Sequence, residues 1–290
     1  MGWFVDLFKK KDIKENNTPE KPAEVESVDN SILAQTETNK AKISENPIAE
    51  PESMEAEEKE DYQLPPMTYV DIKISEEPAP KGYVDDADSL PFSNVTKKTS
   101  RKKLGNFVAV DVETTGLYPS KSEIIEVAAI RFRDFKPTEV FTTLCKPKKD
   151  LEINAQRVNG ITMQMLEDKP QFAYIAESLL HFIGKDNLVA HNLNFDLRFI
   201  VKHGVEVYNV ERKYYCTLEI AQRTLKAAKD KWDKELDGWV IDFDKYFDVE
   251  NYKLETLCKY YKIPLPKTHR ALNDCLAAGY LLEALTKDRE

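Results

Sequence analysis

Two acidic residues stand in a stretch whose pattern otherwise calls for apolar side chains. In FVAVDVET, residues 107–114, Asp111 and Glu113 alternate with valines, so a period of two places both carboxylates on one face of a predicted strand. The stretch is apolar on both faces, which is typical of a strand buried within a sheet. Burying two like charges there is costly unless a cation accompanies them or one of them is protonated.

Two predicted helices repeat this anomaly. Asp274 lies on the apolar face of the predicted helix 270–285, together with Ala271, Ala277, Ala278 and Leu281. Asp196 lies on a largely apolar stripe in the first turn of the predicted helix 194–203. An acid in a first turn also suits the helix dipole, and Asn194 is a candidate N-cap for this helix. The residue pattern therefore leaves the role of Asp196 open.

Four carboxylates on faces that should be apolar indicate a site for hard cations. Mg²⁺ and Mn²⁺ prefer carboxylate oxygens, whereas zinc prefers His and Cys, and the four cysteines at 145, 216, 258 and 275 lack zinc-site spacing. Two such ions stabilise the attacking and the leaving oxygen when a phosphodiester is displaced. His269, five residues before Asp274, is a suitable acceptor for the proton of the attacking water, because the ordinary pKa of an imidazole is near neutrality.

The elements that must position these side chains follow from hydrophobic periodicity. Three strands joined by short links predict an antiparallel meander, at 107–112, 123–133 and 138–146. A helix, a short buried strand and four further helices follow, at 171–183, 188–191, 194–203, 217–226, 254–261 and 270–285. This order predicts an α/β fold with a mixed sheet. Residues 227–252, which are rich in acids, interrupt the pattern as an insertion.

The first hundred residues differ in composition from the rest of the chain. They carry a net charge of −10 and nine of the fifteen prolines, whereas residues 101–290 carry +1. Because such a segment buries too little apolar surface to offset its backbone entropy, we expect a disordered acidic tail over 1–102 and one folded domain over 103–290. Composition favours a linker over a docking peptide for the more apolar stretch 62–75.

The first eleven residues, MGWFVDLFKKK, have two interpretations. They form an amphipathic helix that contacts a partner or a membrane surface, or they simply begin the disordered tail. No apolar run approaches the ~20 residues of a membrane span, and scattered cysteines are typical of reduced thiols. These features predict a cytoplasmic, intracellular protein. The acidity lies in the tail, so it does not argue against nucleic-acid binding by the predicted domain.

Three segments, FVAVDVETTGL, VAHNLNFDLRF and HRALNDC, occur in this order at 107–117, 189–199 and 269–275. They resemble the three exonuclease motifs of the DEDDh family. That family includes the proofreading epsilon subunit of bacterial replicative polymerase and the exonuclease domain within Gram-positive replicative polymerases. The similarity extends over about residues 105–285, and the His-x4-Asp spacing matches the histidine branch of the family.

The resemblance implies a ribonuclease-H-like mixed β-sheet flanked by helices. It also implies removal of nucleoside 5′-monophosphates from a 3′ end with two Mg²⁺ or Mn²⁺ ions. By position, Asp111, Glu113 and Asp274 correspond to the ligands of the first ion. Asp111 and Asp196 correspond to ligands of the second ion, and His269 corresponds to the general base.

The candidate substrate-binding residues are Thr114, Thr115, Gly116, Leu117, Asn159, His191, Asn194 and Phe195. The resemblance implies that residues 114–116 line the terminal nucleotide and that Leu117 is a wedge against the bases. It also implies that residues 194 and 195 pack beneath the site. Many relatives carry His where this chain has Asn159, and this departure and the insertion leave substrate preference open. His191, which ends a predicted strand, is either structural or a substrate contact.

The predicted function is hydrolysis of phosphodiester bonds at the 3′ end of nucleic acid, with single-stranded DNA as the favoured substrate, in proofreading or repair. The expected partner, reached through the tail, is a DNA polymerase or another replication or repair protein. Three alternatives stay open: trimming of RNA 3′ ends, binding of nucleic-acid ends without catalysis, and scaffolding through the tail.

Overall fold

A computed structural model describes residues 62–82, 93, 95, 104–207, 211–234, 236–265 and 269–288 of the protein, all within the unit 58–290. The predictions for residues 1–11 and for the rest of the tail up to residue 61 lie outside these residues. No helix in the described ranges is long and apolar enough to span a bilayer. The four cysteines are buried as free thiols.

A six-stranded mixed sheet forms the centre of the fold, with strand order β1-β4-β3-β2-β5-β6. Its strands are β1 Thr68–Tyr69, β2 Phe107–Thr114, β3 Ile124–Arg133, β4 Lys136–Leu144, β5 Asn187–Ala190 and β6 Tyr214–Cys216. Strands β2, β3 and β4 pair antiparallel, which confirms the predicted meander, and β5 and β6 extend the sheet in parallel with β2. The predicted ribonuclease-H-like α/β architecture is confirmed.

Seven helices accompany the sheet: α1 Ile153–Asn159, α2 Met163–Leu166, α3 Phe172–Ile183, α4 Leu193–Lys202, α5 Thr217–Thr224, α6 Leu254–Tyr260 and α7 Ala271–Lys287, all within the described ranges. The five predicted helices are present within a few residues of their expected bounds. The prediction of Asn194 as the N-cap of the helix at 194–203 is wrong. This helix, α4, begins at Leu193, and its N-cap is Asn192, in a left-handed conformation with φ 66°. Helices α1 and α2 and strand β6 are short and were not predicted.

Strand β2 contributes to two hydrophobic cores. Its residues Val108, Val110 and Val112 pack with residues of α3 and α4, whereas Phe107 and Ala109 pack with residues of α5, α6 and α7. Because alternate side chains of a strand point to opposite faces, the side chains at 111 and 113 continue the face that is covered by α7. The strand thus directs its two carboxylates toward the helix that carries Asp274.

Residues 62–82 belong to the fold, so the expectation of a linker is wrong for this segment. Strand β1 pairs in parallel with β4, and the N–H of Val70 donates to the carbonyl of Val140 at 2.9 Å. Further along, Ser75 donates to Tyr174 of α3 at 2.8 Å. These contacts join main-chain groups, which require no apolar periodicity, and composition therefore carried no signal for them. By pairing with β4, the segment covers what would otherwise be a free sheet edge.

The insertion contains a β-hairpin. Strands β7 Asp230–Asp233 and β8 Gly238–Ile241 pair antiparallel. Trp232 and Trp239 lie opposite one another with ring centroids 5.6 Å apart, and both are exposed. The sequence indicated the insertion but not the hairpin, because β7 is mostly charged and lacks the apolar alternation of a packed strand.

Gly279 of α7 packs directly on the sheet and provides a test of this packing. A Cβ at this position would lie 2.2 Å from the ring of Phe132, which is fully buried and stacked on Phe107 at 4.7 Å. We expect Gly279→Ala to destabilise the protein by about 1–3 kcal/mol through overpacking, although alanine favours the helix by about 1 kcal/mol. Urea denaturation measures the difference.

Gly238→Ala is the matched control, since the nearest atom to its new Cβ, the carbonyl oxygen of Leu236, is 3.6 Å away. This variant should differ from the wild type by less than about 0.5 kcal/mol. A Gly279→Ala variant as stable as the wild type would contradict the tight contact between α7 and β3.

Candidate active site

The carboxyl end of β2 and the first turn of α7 meet at a cluster of carboxylates. Asp111, Glu113 and Asp274 are each half-buried, and they each offer one oxygen that lies within 4.8 Å of the other two. The strand alternation places the first two side chains on the α7 side, and the helix periodicity turns the third toward them. The structure therefore brings together three of the four acids that the sequence singled out.

Asp196 lies next to this cluster, and its carboxylate is hydrogen-bonded to the backbone of β2. It is 2% exposed, and its Oδ1 accepts a hydrogen bond of 3.1 Å from the backbone N–H of Val112, between the two acids of β2. It is not a member of the 4.8 Å group, although its charge helps to raise the pKa of Asp111. Asp196 thus ties α4 to β2 beside the carboxylates.

Burial and mutual repulsion make the charged form of this cluster costly. Loss of hydration, followed by repulsion from Asp274 and Glu126, raises the pKa of Glu113 to about 8. Loss of hydration, with a smaller contribution from Glu126, raises the pKa of Asp274 to about 7. The pKa values of Asp111 and Asp196 are raised well above their ordinary value, again chiefly by burial. A cation bound here would stabilise the charged form of these groups.

The residues of the cluster fit a hard divalent cation. The ligand atoms are all carboxylate oxygens, which suit Mg²⁺ or Mn²⁺ better than zinc. The Oδ1 atom of Asp274 is buried and has no hydrogen-bond partner among the described residues, a costly state for a carboxylate oxygen without a ligand. The carboxylate cluster can therefore hold a metal ion.

His269 stands at the entrance to α7, beside the cluster. Its backbone has φ 59°, in the left-handed region that residues other than glycine seldom adopt, and its N–H donates to Oδ2 of Asp274 at 3.0 Å. The residue is exposed, and partial loss of hydration lowers the pKa of its imidazole. The imidazole is therefore mainly neutral at neutral pH, as a proton acceptor must be.

The loop that follows β2 is held by its own hydrogen bonds. The hydroxyl of Thr114 donates to the carbonyl of Gly116 at 2.7 Å, and the N–H of Thr115 donates to the carbonyl of Glu123 at 2.9 Å. A Cβ at Gly116 would lie 2.7 Å from side-chain oxygens of Glu152 and Ser122, so any larger residue there would require these side chains to move. Leu117 follows in a half-buried position. The hydroxyl of Thr114 is thus engaged within the loop.

Asn159 and His191, predicted as substrate contacts, have contacts within the protein. Asn159 is buried and hydrogen-bonds Glu113, whose pKa it lowers, while its Oδ1 accepts from the N–H of Ile161 at 3.0 Å. The imidazole of His191 contacts the hydroxyl of Thr217 and the carbonyl of Tyr252, both at 3.0 Å. Burial lowers the pKa of His191 to about 4, so the ring is neutral and both nitrogens are occupied. This geometry favours the structural interpretation of His191.

The two remaining predicted positions lie in the first turn of α4. The ring of Phe195 packs against the core and lies 5.0 Å from the ring of Phe199. Asn194 is half-buried, and its Oδ1 has no hydrogen-bond partner among the described residues. These positions lie close to the carboxylates because Asp196 belongs to the same turn.

Sequence reasoning missed one pair of residues at this site, Glu126 and Arg270. Glu126 of β3 is buried directly opposite Glu113, and the guanidinium of Arg270 donates to both of its carboxylate oxygens. A signal existed, because IIEVAAI places one acid in an otherwise apolar strand, as in β2. Its partner is 144 residues away, and no local pattern connects the two.

The strand order and the carboxylate cluster at the end of β2 define a ribonuclease-H-like nuclease fold. A structure of E. coli Exonuclease I in complex with a dT13 oligonucleotide shares this fold, with a TM-score of 0.50 and 21% identity, over 64% of this chain and 41% of that one. The family model of the RNase_T exonucleases matches residues 108–282, and the chain belongs to this family.

Related sequences are PolC-type DNA polymerases III. The chain is 31% identical over 212 residues to the enzyme of Caldanaerobacter subterraneus subsp. tengcongensis, which covers 72% of this chain. It is 32% identical over 205 residues to the enzyme of Bacillus subtilis, which covers 71% of this chain. In both cases the match spans only 13% of the polymerase. The predicted resemblance to a family of exonucleases is confirmed.

The raised pKa values predict how stability depends on pH without metal. Glu113 and Asp274 have pKa values of about 8 and about 7 in the folded protein, above the ~4 of carboxyls in an unfolded chain. The folded state therefore binds more protons, and its stability should fall as pH rises from about 5 to about 8. Mg²⁺ or Mn²⁺ should offset this loss, with a larger rise in the free energy of unfolding at pH 8 than at pH 5.

Urea denaturation in EDTA and in Mg²⁺, at several pH values, measures both effects. Glu113→Gln should flatten the pH dependence and reduce the effect of Mg²⁺, while Glu177→Gln, an exposed acid on α3, should behave as the wild type. The same pH dependence in Glu113→Gln and in the wild type would be evidence against a raised pKa of Glu113.

Proposed function

We propose that the protein is a two-metal-ion 3′–5′ exonuclease that acts on DNA and releases nucleoside 5′-monophosphates. The observation that carries this proposal is the convergence of Asp111, Glu113 and Asp274, with His269 hydrogen-bonded through its backbone to the last of them. The exonuclease family match supports the reaction class. The relatives that are DNA polymerases support DNA as the substrate.

The proposed ligands divide between two ions. Two Mg²⁺ or Mn²⁺ ions, when bound, supply positive charge next to the attacking and the leaving oxygen. Asp111, Glu113 and Asp274 would hold one ion, and Asp111 and Asp196 would hold the other. The hydrogen bond from Val112 keeps Asp196 beside the acids of β2 and orients its carboxylate.

In the proposed reaction, His269 accepts a proton from the attacking water. The water oxygen forms a bond to the terminal phosphorus, and the bond between phosphorus and the 3′ oxygen of the preceding nucleotide breaks. That 3′ oxygen then takes a proton from solvent. The low pKa of His269 keeps its ring free to accept the proton near neutral pH. The backbone of the 114–116 loop and the side chain of Leu117 would contact the terminal nucleotide.

His269→Ala should lower kcat by about 10²–10⁴-fold, because the reaction loses its proton acceptor. Binding of Mg²⁺, measured as the rise in melting temperature, should change little, since the imidazole is not a ligand. His181→Ala, at an exposed histidine on α3, is the matched control and should retain full activity. Full activity in His269→Ala would remove this residue from the proposed mechanism.

The substrate class is tested by comparing single-stranded DNA, a mismatched primer-template and a short RNA, each labelled at the 5′ end, under one set of conditions. We expect stepwise shortening of single-stranded DNA in Mg²⁺ or Mn²⁺, and none with Asp274→Asn, which removes a ligand charge. Faster degradation of RNA would assign the RNA alternative, because the 2′-OH distinguishes the two substrates. Identical results for wild type and Asp274→Asn would indicate end binding without catalysis.

A polymerase or another replication or repair protein is the proposed partner, reached through the residues before 62. In the PolC relatives the matched region forms part of a polymerase chain, which supports a partner of this kind. Removal of residues 1–61 should leave exonuclease activity intact and abolish association with the polymerase.

A further inference from the structure

Glu126 is a buried acid that the proposed chemistry does not use. Its side chain is 5% exposed, and it lies opposite Glu113 in the register of β2 and β3. Its charge raises the pKa values of both Glu113 and Asp274, so its presence makes the charged cluster more costly. A carboxylate at this depth requires strong compensation from its contacts.

That compensation comes from the segment that begins α7. Arg270 donates from Nε to Oε2 of Glu126 at 3.0 Å and from Nη2 to Oε1 at 2.8 Å. The backbone N–H of Ala271 also donates to Oε2, at 3.1 Å. The N-cap residue of α7 provides no side-chain cap, so a carboxylate from a distant strand accepts one of the free N–H groups of the helix. A two-point guanidinium contact fixes orientation as well as distance.

The residues around this contact are those that the proposed reaction needs. His269 directly precedes Arg270, and its N–H donates to Oδ2 of Asp274. The N–H of Asp274 in turn donates to the carbonyl of Arg270 at 3.1 Å. Arg270 is therefore attached to β3 through its side chain and to Asp274 through its backbone. Movement of Arg270 would displace both the proposed base and a proposed ligand.

We propose that Glu126 is a positioning residue: through Arg270 and Ala271 it fixes the start of α7, and with it His269 and Asp274, relative to the acids of β2. The inference rests on the proposed function for the identity of the reaction. Glu126 does not act as a metal ligand, because both of its oxygens already accept hydrogen bonds and it is not a member of the 4.8 Å group.

Steady-state kinetics of the full chain with single-stranded DNA test the proposal in three variants: Glu126→Gln, Arg270→Met and Arg270→Lys. We expect Glu126→Gln and Arg270→Met to lower kcat by roughly 10- to 100-fold, as for a small displacement of catalytic groups. KM for DNA should change by less than about threefold, because binding of DNA in the ground state is unaffected. The Mg²⁺ concentration for half-maximal rate should rise, because Asp274 is displaced together with His269. Arg270→Lys should resemble Arg270→Met, since lysine cannot form the two-point contact.

Asp186→Asn is the matched control. Asp186 accepts hydrogen bonds from Arg131 and Arg133 at the other end of β3, with a distance of 2.8 Å from Nη2 of Arg133. This variant should lose stability and retain kcat. An equal loss of kcat in Asp186→Asn would show that Glu126 acts only through general stability. Full kcat in Glu126→Gln or in Arg270→Lys would also overturn the proposal, and so would full recovery of Glu126→Gln at saturating Mg²⁺, because Mg²⁺ cannot restore the position of His269.

Hydrogen exchange supplies a readout that does not depend on activity. The amides of His269, Ala271 and Asp274 donate to the contacts described above, so a peptide covering 269–275 should exchange faster in Glu126→Gln than in Asp186→Asn. Equal protection in the two variants would refute positioning by Glu126. Failure of the wild type to degrade DNA would contradict the proposed function alone, and the exchange measurement would still decide the role of Glu126.

Discussion

The burial of several carboxylates, together with their mutual repulsion, is the constraint on which this structure depends. Asp111, Glu113, Asp196 and Asp274 come from one strand and two helices, and burial raises the pKa of each. An arrangement with this cost persists only if the surrounding structure holds it in place or a cation neutralises it. The protein has contacts that hold the carboxylates in place, and it has a set of ligand atoms suited to a cation.

The contacts that hold the cluster approach it from different elements. An N–H of β2 binds Asp196, the amide of Asn159 binds Glu113, and the N–H of His269 binds Asp274. Each of these donors favours the charged form of its acid and fixes its direction without competing for a position as a metal ligand. The left-handed conformation of His269 belongs to the same arrangement, because it directs the N–H of that residue back toward the first turn of α7.

Sequence reasoning could predict what depends on side-chain pattern. The alternation in β2 and the apolar face of α7 identified the acids, and strand and helix periodicity identified the meander and five of the seven helices in the described ranges. Main-chain contacts leave no such pattern, which is why the pairing of β1 with β4 was missed. Glu126 is the instructive case. Its pattern resembles that of Asp111, and only the three-dimensional contact with Arg270 shows that its partner is a guanidinium.

The balance of charge connects Glu126, which is paired with a guanidinium, with the four acids that are proposed as metal ligands. Glu126 and Arg270 neutralise one another in a two-point contact. The four remaining acids carry four negative charges when ionised, and two divalent cations would carry four positive ones. A single divalent cation would leave two charges uncompensated, at a depth where each is costly. Without the guanidinium of Arg270, the charge of Glu126 would remain next to Glu113 and Asp274 as a fifth negative charge and would change this balance. The ion pair is thus compatible with the proposed two-ion site, because it removes one acid from the set that metal would neutralise. It also holds the helix that supplies another acid of that set.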